Sequence, residues 1–162
     1  MENLVLDVIA TGIGATAVMD VWGFSQRRFF SVPSLDYALV GRALLWLRHG
    51  KWVHCPIMST PPHKGETFVG WLIHYVTGIV FAALLIMLTG KTWLYQPTLA
   101  PALLTGMLTL CFPFFIMQPM LGFGIAAAKT ASPARARLRS LMTHLVFGMG
   151  LYFTALVLSW LK

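Results

Sequence analysis

The sequence predicts an all-α integral membrane protein, a four-helix bundle with a short interfacial helix in its first long loop. Two observations carry this. Hydrophobic residues fill 57% of the 162 positions and charged residues only 10%, and mean hydropathy is +0.74. A soluble domain of this size needs a charged surface that five acidic residues cannot supply. Secondly, four separate runs are long and apolar enough to cross a bilayer, which takes roughly 20 helical residues rising about 1.5 Å each. The chain reads as one transmembrane domain over residues 1–162.

The first run, at about residues 4–24, carries Asp7 and Asp20. Met1-Glu2-Asn3 lacks a basic n-region and no small-residue cleavage site follows, so the run is expected to stay as a helix. A loop follows at about residues 25–67, with "SLDYALVGRALLWLRHG" as a short helix inside it. Ser34 is expected to cap that helix, Asp36 suits its first turn, and Gly50 ends it. Too short to span, it is expected in the interface or under the bundle, with Trp46 and Trp52 near headgroup level. The second run (about 68–89) and the fourth (about 141–161) hold no charge. The third, at about 99–127, holds Pro101, Pro113 and Pro119 and is expected to kink without breaking.

A weak internal repeat is present. "LIHYVTGIVFAALL" and "MTHLVFGMGLYFTAL" both place Val two residues and Gly four residues after a His. A tandem two-helix repeat would run in parallel, each half crossing in and back.

Orientation follows from the basic residues. Arg27, Arg28, Arg42, Arg48, Lys51 and Lys64 fall between runs one and two, and Lys129, Arg135, Arg137 and Arg139 between three and four. Only Lys91 and Lys162 lie on the other side. The positive-inside rule then puts both basic loops in the cytoplasm and both termini on the periplasmic side of a bacterial inner membrane, with Trp93, Tyr95 and Trp160 at the outer interface. The net charge of +7 reads as orientation and lipid headgroup contact. Nucleic acid is not expected as a partner, because no basic patch alternates with exposed aromatics on a known module. The bilayer is the expected partner, with a second copy or a membrane-complex subunit as further options.

Four polar side chains fall near the cytoplasmic ends of the runs, one on each: Asp20, His74, Gln118 and His144. Counted from the nearest flanking charge, their depths are roughly 8 to 16 Å. Residues four apart share a helix face. Gly70 and Gly78 flank His74, Ser140 and Gly148 flank His144, and Gly12 and Thr16 lead to Asp20. Small residues mark close helix packing, so His74 is expected to face His144 and Asp20 across the bundle centre. Ionisable groups at this depth are candidates for function.

At this point the stretches "TGIGATAVMDVWG", "VPSLDYALVGRALLW", "GWLIHYVTGIVFAALL", "PFFIMQPMLGFGIAAAKT" and "ARLRSLMTHLVFGMGLYF" resemble a family of small bacterial membrane proteins described only as a domain of unknown function. The resemblance covers nearly the whole chain. It implies a bacterial inner-membrane location and brings no activity, cofactor or binding residue with it.

Several readings of the four groups remain open. They are interhelical glue, each bond worth about 0.6 kcal/mol; or a ligand site; or an Asp–His proton relay coupled to transport of a small molecule. As a ligand site, His74, His144 and Asp20 would hold a transition metal with Gln118 behind them, or the two histidines would take the two faces of a haem iron. A quinone or lipid pocket would draw on the same residues. In the first loop His49, His54, Cys55 and His63 are metal-ligand types, but their spacing matches no zinc pattern. Cys111 reads as a packed hydrophobe, and a disulfide with Cys55 is not expected. No nucleophile motif, phosphate loop or carboxylate pair is present, so an enzyme is not indicated.

Overall fold

The computed structural model describes residues 3–161. Met1, Glu2 and Lys162, which entered the leader and charge arguments above, lie outside them. Among the described residues the fold is all-helical: α1 (Leu4–Phe30), α2 (Tyr37–Leu47), α3 (Glu66–Thr89), α4 (Leu99–Met120) and α5 (Pro133–Trp160). All but α2 are long and apolar enough to cross a membrane.

The helix ends depart from the sequence expectations for identifiable reasons. α1 is capped by the Asn3 side chain and runs on past residue 24 to Phe30, because Arg27 and Arg28 complement the C-terminal dipole instead of ending the helix. Ser31 closes it in the left-handed region at φ 54°. The cap of α2 is Asp36 and not Ser34: the Asp36 backbone is extended and its carboxylate accepts from Ala38 N at 2.9 Å. α5 starts at Pro133, about two turns before the apolar run, since proline suits a first helical turn.

The expected kink in the third run takes a specific form. α4 is regular over Leu99–Leu108, turns at residues 109–110, and passes through a π-helical stretch, Pro113–Met117. Neither Pro113 nor Pro119 can donate to the ladder, and the Gln118 N–H reaches back to the Pro113 carbonyl. The helix ends at Met120 rather than near residue 127, because Gly122 (φ 86°) and Gly124 (φ 75°) turn the chain.

The chain packs as two compact units. One comprises residues 3–34, 75–109 and 142–161. Its core is Ala15, Ala82, Leu85, Trp93, Leu94, Ala102, Phe147, Leu151 and Ala155. Trp93, expected at an outer interface, is instead only 5% exposed, with its indole N–H on the Thr98 carbonyl at 3.2 Å. The 3₁₀ turn Lys91–Leu94 folds it inward. Helix contacts here are made by small residues. A Cβ on Gly12 would lie 2.5 Å from Ile79 Cα, one on Gly78 would overlap Thr16 Oγ1, and one on Gly148 would lie 2.8 Å from the Ala102 carbonyl. Gly106 abuts the His144 carbonyl and Gly148 itself. So α1 meets α3 at Gly12 and Gly78, and α4 meets α5 at Gly106 and Gly148. Both contacts are made by a pair of glycines.

The outward faces of this unit are apolar: Val21 is 66% exposed, Leu104 60% and Val157 51%. Water would penalise such a surface, whereas hydrocarbon would not.

The second unit comprises residues 35–74 and 110–141. Val40, Ala43, Ile57 and Leu121 form its core, ringed by Leu39, Leu44, Ile73, Met117, Met120 and Phe123. α2 lies against the start of α3 with backbones nearly touching: a Cβ on Gly41 would overlap the Glu66 carbonyl, and one on Gly70 the Tyr37 carbonyl. The segment after α2 is pinned to the end of α4 by His54 N to Met120 O and Ile57 N to Leu121 O, both 3.0 Å. Gly122 is obligatory there, both for its positive φ and because its Cβ would strike the His54 carbonyl.

Candidate functional site

Three of the four polar groups singled out from the sequence make a side-chain hydrogen bond to another helix, and the fourth, His74, makes ring contacts. Asp20, on α1, accepts from the Tyr75 hydroxyl of α3 at 2.9 Å. The phenol sits beside His74 in sequence but on the face that meets α1.

His144, on α5, shares its Nδ1 with Thr109 Oγ1 of α4 at 2.8 Å. The same hydroxyl donates to the Gly106 carbonyl at 2.7 Å. A carbonyl only accepts and a hydroxyl has one proton, so Nδ1 must be the donor to Thr109. Asp20–Tyr75 and His144–Thr109 are thus two protonatable side chains in one unit, each held by a hydroxyl.

His74 and Gln118 belong to the other unit. The His74 ring stacks on Tyr37 of α2 with centroids 3.9 Å apart and stands edge-on to Trp71 at 5.8 Å. Gln118 is 7% exposed and donates its amide N–H to Ser140 Oγ at 3.4 Å, while its Oε1 has no partner. Ser140, expected to serve the packing face of His144, is therefore a Gln118 acceptor. Tyr75, Thr109 and Tyr37 were not picked out from the sequence. The available signal was a hydroxyl inside an apolar run, which most membrane helices carry.

Outside the apolar spans, a polar clasp holds the start of α3. Arg42 grips Glu66 through two bonds of 2.8 Å and reaches the Thr60 carbonyl at 3.1 Å. His63 N also donates to Glu66 at 2.8 Å. The Glu66 carboxylate raises the Arg42 pKa above its ordinary value. His54 is fully buried with Nδ1 2.7 Å from Thr60 Oγ1. Burial and the nearby Lys51 charge hold its pKa below the usual imidazole value.

Among the described residues no group of three or more His, Cys, Asp or Glu is placed to hold a metal ion. Cys55 and Cys111 are free thiols, and Cys111 is exposed on α4 instead of packed.

These features define the class: an all-helical protein with four helices long and apolar enough to cross a membrane, and with acid, imidazole and amide side chains hydrogen-bonded inside them. Within that class the chain belongs to the family described as protein of unknown function, DUF2938, whose model matches residues 9–158. No curated protein and no solved structure gives a match.

Proposed function

We propose that this is a multi-pass protein of the bacterial inner membrane, in which the Asp20–Tyr75 and His144–Thr109 pairs carry protons coupled to movement of a small solute. The observation that supports it most is the bond from the Tyr75 hydroxyl to Asp20 at 2.9 Å, an acid solvated by a phenol between apolar helices. Asp20 and His144 are ionisable side chains of one unit, and ionisable groups set among apolar helices are candidates for a proton path. The basic loops face the cytoplasm in this reading, and both termini face the periplasm.

Proteoliposomes with an internal pH dye test the coupling. A panel of cationic, anionic and neutral small solutes is expected to yield one that moves protons with the wild type and not with Asp20→Asn. Identical traces for both proteins with every solute, together with an infrared titration showing no change in Asp20 protonation, overturn the reading. A periplasm-active reporter on the carboxyl terminus tests the orientation; an expressed but inactive fusion counts against it.

A second reading has its own observation. Thr109 ties α4 to α5 through His144 where Gly106 brings the two backbones together, which is what a purely structural bond would do. In that case His144→Ala costs stability and leaves proton movement unchanged.

A further inference from the structure

The stretch from Arg48 to Lys64 contains no acidic residue. It carries Arg48, Lys51 and Lys64, with His49 and His63 among them. The nearest carboxylate in sequence, Glu66, is already taken by Arg42 and the His63 N–H. Arg48 is held instead by two imidazoles, donating from Nη2 to His63 Nε2 and from Nε to His49 Nε2 at 3.4 Å. His63 Nδ1 faces the Lys64 carbonyl at 2.9 Å and must donate there. Its Nε2 therefore accepts from Arg48 as a neutral ring. The two rings orient the guanidinium without cancelling its charge. Lys51 lies over the Trp46 ring at 5.6 Å, and Trp46 Nε1 donates to the Pro61 carbonyl at 3.2 Å. Apolar side chains stand exposed on the same segment: Trp52 at 69%, Val53 at 58% and Met58 at 58%.

Lys51 Nζ also donates to Thr60 Oγ1 at 3.3 Å, and an oriented guanidinium and two ammonium groups on one short segment with exposed tryptophan and aliphatic side chains match a phosphate joined to acyl chains. Arginine forks onto phosphate oxygens, lysine adds point charge, and tryptophan settles at headgroup level. We infer that Arg48, Lys51 and Lys64 form a binding site for an anionic phospholipid headgroup, with Trp52 entering the acyl region beside it. The site holds the α2–α3 connection to the membrane surface. It does not depend on the proton-carrying reading, and either can fail alone.

The test is lipid retention by the full chain in detergent, followed by native mass spectrometry with phosphatidylglycerol, phosphatidylcholine and inorganic phosphate as probes. Phosphatidylglycerol is expected to be retained in preference to phosphatidylcholine. Arg48→Gln, Lys51→Gln and Lys64→Gln should each lower that preference about fivefold. Arg135→Gln, an exposed cation outside the segment, should leave it unchanged. Brominated phosphatidylglycerol should quench tryptophan emission in the wild type, and less so in Trp52→Leu. Equal retention of the two lipids overturns the proposal. So does a preference that survives the triple variant, or one that falls as far with Arg135→Gln. Inorganic phosphate displacing phosphatidylglycerol at equal concentration would mean a free-anion site and would overturn the lipid assignment.

Discussion

The Tyr75 hydroxyl and the Asp20 carboxylate meet at 2.9 Å although 55 residues separate them. The bond joins α1 to α3 a few residues along from where Gly12 and Gly78 let the helices touch. Tyr75→Phe should therefore destabilise the protein by about 1 kcal/mol, in the range for hydrogen bonds between membrane helices. Asp20→Asn combined with Tyr75→Phe should cost less than the sum of the single changes. Unfolding in mixed micelles measures this, and additive losses would show that the bond carries no energy. Pairing Asp20→Asn with His144→Ala in the same assay tells whether the two pairs act as one network.

The α1–α3 contact distinguishes two glycines. A Cβ on Gly12 meets the backbone of Ile79, which has nowhere to go, whereas one on Gly78 meets the Thr16 hydroxyl. Gly12→Ala should be the more damaging, and Gly78→Ala should be relieved by adding Thr16→Ala. Expression and melting temperature of the three variants in one detergent decide it; a Gly12→Ala variant as stable as the wild type would refute the contact.

Arg42 and Glu66 have side chains 12% and 14% exposed, and four hydrogen bonds converge on them. Removing one partner leaves the other charge poorly solvated, so Glu66→Gln should cost about 3 kcal/mol. Arg42→Lys should cost nearly as much, since an ammonium cannot reproduce the two-pronged grip. Protease sensitivity of the α2–α3 segment provides the local readout, and a resistant Arg42→Lys protein would count against the clasp.

His54 introduces a pH dependence whose sign is fixed. Its pKa in the folded protein lies below the unfolded value, so the fold favours the neutral ring. The contribution is fully present above about pH 6.5, the unfolded value, and is lost as pH falls through the lower folded one. The melting temperature of the wild type should drop more steeply between pH 7 and pH 5 than that of His54→Gln. Parallel curves for the two proteins would show that His54 does not report through this equilibrium.

The architecture was legible in the order of residues because a bilayer imposes a length and a polarity that apolar runs must meet. The four apolar helices follow from that one-dimensional constraint, and the glycines near His74 and His144 were legible as small residues one turn away on the same helix face. The bend in α4 followed too, since proline lacks a donor wherever it is placed. Helix ends were less legible. The apolar run reads to about residue 24, yet the helix continues through Arg27 and Arg28, which stabilise its C-terminus, and Asp36 displaced Ser34 through backbone geometry that a composition does not express.

Partnership was not legible, because it depends on which faces meet. Tyr75 follows His74 directly in sequence, yet the two rings serve different partners, Asp20 on α1 and Tyr37 on α2. Successive residues on a helix point about 100° apart, so adjacency in the chain says nothing of shared contacts. His54 looked like a loop histidine with metal-ligand neighbours, and packing against Gly122 turned it into a buried, neutral side chain. Hydropathy selects which segments leave water; steric fit at Gly12, Gly41, Gly70 and Gly106 selects which helix each side chain meets.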